Sequence, residues 1–184
     1  MAGAWERVAT ELVESHYGTL VRYATMLTGS RPDAEDIVHD ALIAVFGKRR
    51  NLPNVGAAEG YVRRAIANKF LDRARKGGRE RLAFRRVAAE PEVPVPGPEG
   101  RAADRSSIDQ AMALLTPQER ACVAMRYMDQ LSTREAAVAL GISEGSVKRY
   151  VYDGVRKLSS AINIEIELAD HEWASVSLKK EGSS

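Results

Sequence analysis

Apolar residues recur at three- and four-residue intervals along most of this chain, the signature of amphipathic helices. Over residues 5–28, Val8, Leu12, Val13, Leu20, Val21, Ala24 and Leu27 form one stripe, with a break expected near Gly18. Thr28-Gly29 stops that helix. Ser30 to Asp33 starts another, with Pro32 accommodated in its first turn. Over about residues 32–47, Ala34, Ile37, Val38, Ala41, Leu42, Val45 and Phe46 are the core-facing set. Asp33, Glu35, Asp36, His39 and Asp40 take the outer face. Acids in a first turn favour the helix dipole. Four carboxylates at positions 33, 35, 36 and 40 exceed what capping needs, so the patch also suits docking on a basic partner. From the residues alone the two readings stand level.

Lys48-Arg49-Arg50 leads into a stretch whose Pro53, Gly56 and Gly60 predict a loop. A long helix follows from about Ala57 to Glu80. Tyr61, Val62, Ala65, Ile66, Phe70 and Leu71 supply its packing stripe. Arg63, Arg64, Lys69, Arg73, Arg75, Lys76 and Arg79 supply charge. Asn68 and Asp72, four apart, share one side. A tyrosine ahead of a basic helix suits single-stranded nucleic acid, the ring stacking a base and the cations holding phosphate. Taken singly, Tyr61 fits a core position better. Residues 87–105, VAAEPEVPVPGPEGRAADR, are rich in proline and acid. They predict an extended boundary segment.

Beyond it, Ile108, Ala111, Met112 and Leu115 predict a short helix. Thr116-Pro117-Gln118-Glu119 then reads as a capped helix start with proline in the first turn. Ser132 and Glu135 form a second capping box, opening a helix whose inner face is Ala136, Ala137 and Leu140. Gly141 ends it. Ile142 packs the turn and Ser143 caps a last helix with Val147, Val151, Val155 and Leu158 inside. Ser146, Lys148, Arg149, Tyr152 and Arg156 lie on its opposite face. This is a helix-turn-helix pattern whose second helix suits a DNA major groove. The competing pattern, a helical hairpin with a solvated charged face, does not account for the caps, glycine turn and polar-face chemistry together. Ile162, Ile164, Ile166 and Leu168 extend the apolar pattern, and the segment around Trp173 ending KKEGSS reads as a frayed tail.

Composition narrows the class. Hydrophobic content is 45%, enough for a core, and aromatics are only 6%, which with scarce alternating patterns favours an all-α chain. The net charge of +2 conceals an asymmetry, since residues 63–86 carry ten Lys or Arg against Asp72 and Glu80. Such clustering points to a polyanion, although a solvated face explains an isolated charge run equally well. Cys122 is the single cysteine, and His16, His39 and His171 share no ligand spacing, so neither a disulfide, a metal site nor a cofactor is expected. No Asp or Glu pair has a His or Cys at catalytic spacing and no phosphate-cradling glycine loop is present, so an enzyme is the weakest class. With no signal-peptide pattern and no apolar run of membrane length, a soluble, cytoplasmic protein is expected.

The order of these parts resembles the bacterial RNA polymerase sigma factors of the extracytoplasmic-function (ECF) type over roughly residues 10–165. Three motifs carry the resemblance: DAEDIVHDALIAVF from Asp33, YVRRAIANKFLDRARK from Tyr61, and LTPQERACVAMRYMDQLSTREAAVALGISEGSVKRYV. It implies an all-α fold of two small helical domains joined by a Pro-rich flexible linker, the second with a helix-turn-helix. Residues 5–86 would dock on the polymerase clamp and recognise and melt the −10 element. Residues 87–105 would be the linker, 106–168 the −35-reading domain and 169–184 a tail. The implied partners are core RNA polymerase, through its β′ clamp helices and β flap, and promoter DNA. An anti-sigma factor is common in the family, though no docking motif for one stands in this sequence. The free protein is expected to be a monomer.

Residue by residue, the resemblance puts polymerase binding on Asp33, Glu35, Asp36 and Asp40. It puts −10 contacts on Arg49, Arg50, Asn54, Tyr61, Arg64, Asn68, Asp72 and Arg75. The loop from about Lys48 to Gly60 would hold a base flipped from the −10 element. The −35 contacts fall on Arg134, Ser143, Glu144, Ser146, Lys148, Arg149, Tyr152 and Arg156. This chain departs from the family at Tyr61, where tryptophan is common, and at Tyr150 and Asp153, where arginines are frequent. Arg149 and Arg156 are placed to restore phosphate contacts. Two other classes fit parts of the pattern. An autonomous helix-turn-helix regulator would dimerise on a palindrome without polymerase, and a protein-binding decoy would titrate polymerase or an anti-sigma factor.

Overall fold

A computed structural model of the chain describes residues 4–48, 52–87 and 107–162. Within these residues the chain is helical, in seven elements: α1 (Ala4–Thr28), α2 (Arg31–Lys48), α3 (Val55–Val87), α4 (Ser107–Ala113), α5 (Pro117–Tyr127), α6 (Thr133–Leu140) and α7 (Glu144–Ile162). Arg49 and Arg50, the acidic segment up to Ser106 and the tail after Ile162 lie outside the described residues.

The first three helices pack on one another. Leu12, Leu20, Ala24 and Leu27 of α1 meet Ile37, Val38 and Ala41 of α2 and Val62 and Ile66 of α3, all essentially fully buried. The break expected near Gly18 is absent, because α1 runs through it and the glycine sits exposed on its outer side. Gly29 closes α1 in the left-handed conformation (φ 72°), which costs glycine little. Ser30 opens α2 by accepting from the backbone N–H of Asp33 and, through its carbonyl, from Ala34.

The loop expected from Lys48 to Gly60 is shorter than the sequence suggested. Asn54 Oδ1 accepts the Ala57 N–H at 2.9 Å and starts α3 at Val55, so Gly56 and Gly60 are helical. The cap and the full burial of Ala58, Val62 and Ile66 together outweigh two helix-weakening glycines, each worth about 1 kcal/mol. The helix also continues through Gly77 and Gly78 to Val87, past the expected end at Glu80.

The second group follows its caps closely. Thr116 and Ser132 each form a complete capping box, with Glu119 and Glu135 respectively. Gly141 ends α6 at φ 65°, and Ser143 accepts the Ser146 N–H to open α7. Helix α7 lies against α5 where Gly154 is buried. A Cβ there would stand 2.8 Å from Val123 Cγ2, so only glycine permits this approach. Lys157 Nζ clamps the same contact with bonds of 2.9 and 2.8 Å to the Glu119 carboxylate.

The two groups do not stand apart. One continuous buried cluster runs from Leu12, Phe70 and Leu71 through to Cys122, Met125, Ala136, Leu140 and Val147. The helix-turn-helix group is docked on α1 and α3.

Candidate polymerase and nucleic-acid interfaces

The acidic face of α2 follows from its periodicity. Ala34, Ile37, Val38, Ala41 and Val45 turn inward, which places Asp33 and Asp36 in solvent. The other two carboxylates of the set are tied to cations. Glu35 pairs with Arg31 at 2.9 Å, and Asp40 pairs with Arg73 of α3 at 2.9 Å. Asp33 and Asp36 are therefore the two most open to a partner, and Asp40 helps fix α2 to α3.

Helix α3 divides its polar residues between two environments. Asp72 and Arg75 are exposed and pair with each other at 3.2 Å. Tyr61 is half-buried against the core, with the Arg64 guanidinium 5.8 Å from its ring centroid. Asn68 is engaged, its amide donating to Arg64 O at 3.0 Å and to Ala139 O of α6 at 2.8 Å. Arg63, grouped with the free cations on sequence, is largely buried. It bonds Glu59 at 2.7 Å and Asp129 at 3.0 Å. Of the proposed −10 residues, Tyr61 lies beside Arg64, Asn68 bonds Arg64 O and reaches α6, and Asp72 and Arg75 lie farther along the helix. Asn54 caps α3.

The recognition helix presents the face its spacing predicts. Lys148, Arg149, Tyr152 and Arg156 of α7 are exposed, with Arg134 of α6 and Glu144 at the α7 start also in solvent. Arg156 lies 5.8 Å from the Tyr152 ring centroid, and Arg149 lies 5.0 Å from that of Tyr150. Tyr150 itself packs on the core, so its departure from the family pattern is partly a packing choice. Ser143 and Ser146 bond each other at 2.9 Å, which ties both hydroxyls to the helix start.

Sequence reasoning missed one site, the contact between the groups. Asp129 sits in the α5–α6 turn beside Gln130, whose φ of 53° is uncommon for a side-chain-bearing residue. Tyr23 Oη donates to Asp129 Oδ2 at 2.9 Å, and Arg63 Nη1 donates to Oδ1 at 3.0 Å. The Arg63 guanidinium also lies 5.3 Å from the Tyr23 ring centroid. Burial raises the Asp129 carboxyl above its ordinary range, against the pull of Arg63 and Tyr23. Burial, then Asp129, raises the Tyr23 phenol well above its own. For Arg63, burial opposes the charge, but the bonds to Asp129 and Glu59 outweigh it. Arg120 completes the contact by reaching Leu27 O and lying over Phe70. Asp129 pairs with residues 66 and 106 positions away, separations that no local pattern encodes.

Other chemistry is sparse. Among the described residues, no group of three or more His, Cys, Asp or Glu is placed to hold a metal ion, and no helix is long and apolar enough to cross a membrane. Cys122 is buried in the core, which pushes its thiol up to about 12 and disfavours the reactive thiolate.

Known proteins agree with this layout. Residues 12–80 match the Sigma-70 region 2 family and residues 105–158 match Sigma-70, region 4. The chain is 31% identical to the RNA polymerase sigma-E factor of Streptomyces coelicolor over 80% of its own length and 82% of the relative's. It is 30% identical to the ECF RNA polymerase sigma factor SigL of Mycobacterium tuberculosis, covering 85% of this chain and 90% of the other. The fold is similar to that of the sigma factor RpoE solved in complex with the anti-sigma factor NepR from Bartonella quintana. The TM-score is 0.60 at 20% identity, covering 85% of this chain and 97% of that one. Two region matches in the right order, with relatives aligned along most of their length, show that this chain belongs to the ECF family of RNA polymerase sigma factors.

Proposed function

We propose that this chain is an alternative sigma factor that binds core RNA polymerase and directs it to its own set of promoters. It grips the −10 element with the first helical group and the −35 duplex with the second. The observation that carries this reading is the succession of an acidic α2 face, a basic α3 and a capped helix-turn-helix with an exposed cationic face. Each face answers a different polymerase or promoter surface. Asp33 and Asp36 offer negative charge to the β′ clamp helices, with Glu35 and Asp40 in support. Tyr61, Arg64 and Asn68 meet the opened −10 strand, an aromatic, a cation and an amide suiting base stacking, phosphate and base edges respectively. Asp72 and Arg75, with Arg49, Arg50 and Asn54, complete that contact.

Lys148, Arg149 and Arg156 pair with phosphates and base edges of the −35 duplex, where arginine reads guanine by a bidentate pair. Ser143, Ser146, Glu144, Tyr152 and Arg134 flank them, and the β flap supports this half. The chain's role is binding and strand opening without covalent chemistry, and its working compartment is the cytoplasm, where polymerase is found. An anti-sigma factor is the regulator that the family pairing proposes.

A pull-down with core RNA polymerase tests the docking step. Asp33→Ala/Asp36→Ala is expected to lose at least tenfold in retained sigma while keeping the helical circular dichroism of the parent. Full retention by the double variant refutes the docking assignment.

A further inference from the structure

We propose that Glu144, the first residue of α7, selects cytosine at one base pair of the −35 duplex by accepting a hydrogen bond from the cytosine amine. This selection rests on the promoter reading above and deepens it, by naming the base that one side chain of that face requires.

Glu144 has no task inside the fold. Helices α5, α6 and α7 each carry a glutamate in the first turn. In α5 and α6 it stands third and closes a capping box, Glu119 accepting the Thr116 N–H and Glu135 the Ser132 N–H, each at 2.8 Å. In α7 the third place belongs to Ser146. Its N–H donates to Ser143 Oγ at 3.1 Å, and the two hydroxyls bond each other at 2.9 Å. Glu144 stands first, outside the place from which an acid closes the box. Lys148, four residues on, is the usual partner for a glutamate on a helix surface. The two form no ion pair among the described residues, and both are exposed. The helix dipole tolerates an acid here but does not use it against any particular group.

Its place along the helix is the one that reaches base edges. A recognition helix enters the major groove by its leading residues, and Glu144 leads α7. Gly145 follows it and is exposed. A Cβ there would meet only Ser143 Oγ, at an ordinary 3.9 Å. The fold itself therefore does not require glycine at 145. A missing side chain lets the leading turn come closer to a partner surface.

The chemistry of the groove then decides the base. Arg134, Lys148, Arg149 and Arg156 are exposed on this face, and phosphates that attract them repel a carboxylate. That repulsion is offset only where Glu144 meets a donor. Guanine presents N7 and O6, both acceptors, and thymine presents O4, also an acceptor. Adenine sets its N7 acceptor beside the N6 amine. Cytosine presents its N4 amine with no acceptor beside it. Glu144 thus accepts from cytosine and repels guanine and thymine at the same step, so the carboxylate excludes as well as attracts.

The test uses the full chain, both alone and bound to core RNA polymerase, with a pool of promoter duplexes randomised across the upstream element. The retained duplexes are sequenced. The parent should fix cytosine at one position. Glu144→Gln should move that position to adenine, whose N6 and N7 suit an amide, and leave the neighbouring positions unchanged. Glu144→Ala should flatten the preference there by about tenfold. It should bind duplexes with other bases at that position at least as well as the parent, because a repulsive charge has gone. A glutamate that only supported the helix would lower the melting temperature on substitution and leave the base profile as it was. That outcome, or a parent that fixes no cytosine in either form, overturns the assignment. A polymerase complex that enriches no duplexes overturns the sigma-factor reading, and selection by the chain alone then decides the role of Glu144.

Discussion

Gly154 offers the sharpest quantitative prediction, because it sets how closely the recognition helix approaches α5. An added Cβ would lie 2.8 Å from Val123 Cγ2, 3.3 Å from Leu115 Cδ2 and 3.4 Å from Glu119 Cβ. Carbon atoms in contact rest about 3.5–4.0 Å apart, so the closest overlap is roughly 1 Å. Val123 is buried and β-branched, so it has little freedom to swing aside. Overpacking of this kind costs about 1–3 kcal/mol, against a helix-propensity gain of about 1 kcal/mol for alanine over glycine. Gly154→Ala should therefore destabilise by about 1 kcal/mol. Gly18→Ala is the matched control, a mid-helix glycine with nothing within 4 Å of the new atom. It should stabilise by roughly 0.5–1 kcal/mol. At about 2–4 °C per kcal/mol for a chain of this size, the two variants should melt on opposite sides of the parent, roughly 3–8 °C apart. Thermal and urea unfolding followed by circular dichroism checks this. Gly154→Ala melting at or above Gly18→Ala would refute the close-packing argument.

Three further outcomes are expected. Arg149→Ala should weaken −35 duplex binding about tenfold and lower the salt dependence by roughly one phosphate contact, read by fluorescence anisotropy across a salt series; an unchanged slope removes Arg149 from the reading face. Ser132→Ala should cost about 1 kcal/mol through loss of the α6 cap, seen as a lower urea midpoint with an unchanged slope. For Glu119, burial disfavours the charge but the bonds from Lys157 and Thr116 outweigh it, so its carboxyl lies below the ordinary 4.5. A depressed folded value gives stability that is present above the unfolded value and lost as pH falls through the folded one. Glu119→Gln should abolish that share of the acid-induced loss below about pH 4.5 in a pH series of urea midpoints.

What the sequence made legible was whatever depends on neighbours within one turn of helix. The inward set of α2, the boxes at Thr116 and Ser132, the glycine stop at Gly141 and the cationic face of α7 are all local chemistry, and each stands where its spacing put it. The errors have a common cause. Gly18, Gly56 and Gly60 suggested interruptions, yet long helices run through them because tertiary packing and the Asn54 cap outweigh propensity. Gly154 drew no notice, since its requirement comes from Val123 on another helix. The docking of the two groups was illegible for the same reason. Asp129 drew no notice and Arg63 counted only as one of several cations along its helix, until the fold brought them to Tyr23.

The central claim is tested most directly by run-off transcription on genomic DNA with core RNA polymerase and the purified chain, followed by mapping of the start sites. The account predicts transcripts that require both components and start downstream of two shared sequence elements, the upstream one lost from recognition on Arg149→Ala. A chain that binds a palindrome as a dimer without polymerase, and yields no dependent start sites, would contradict it.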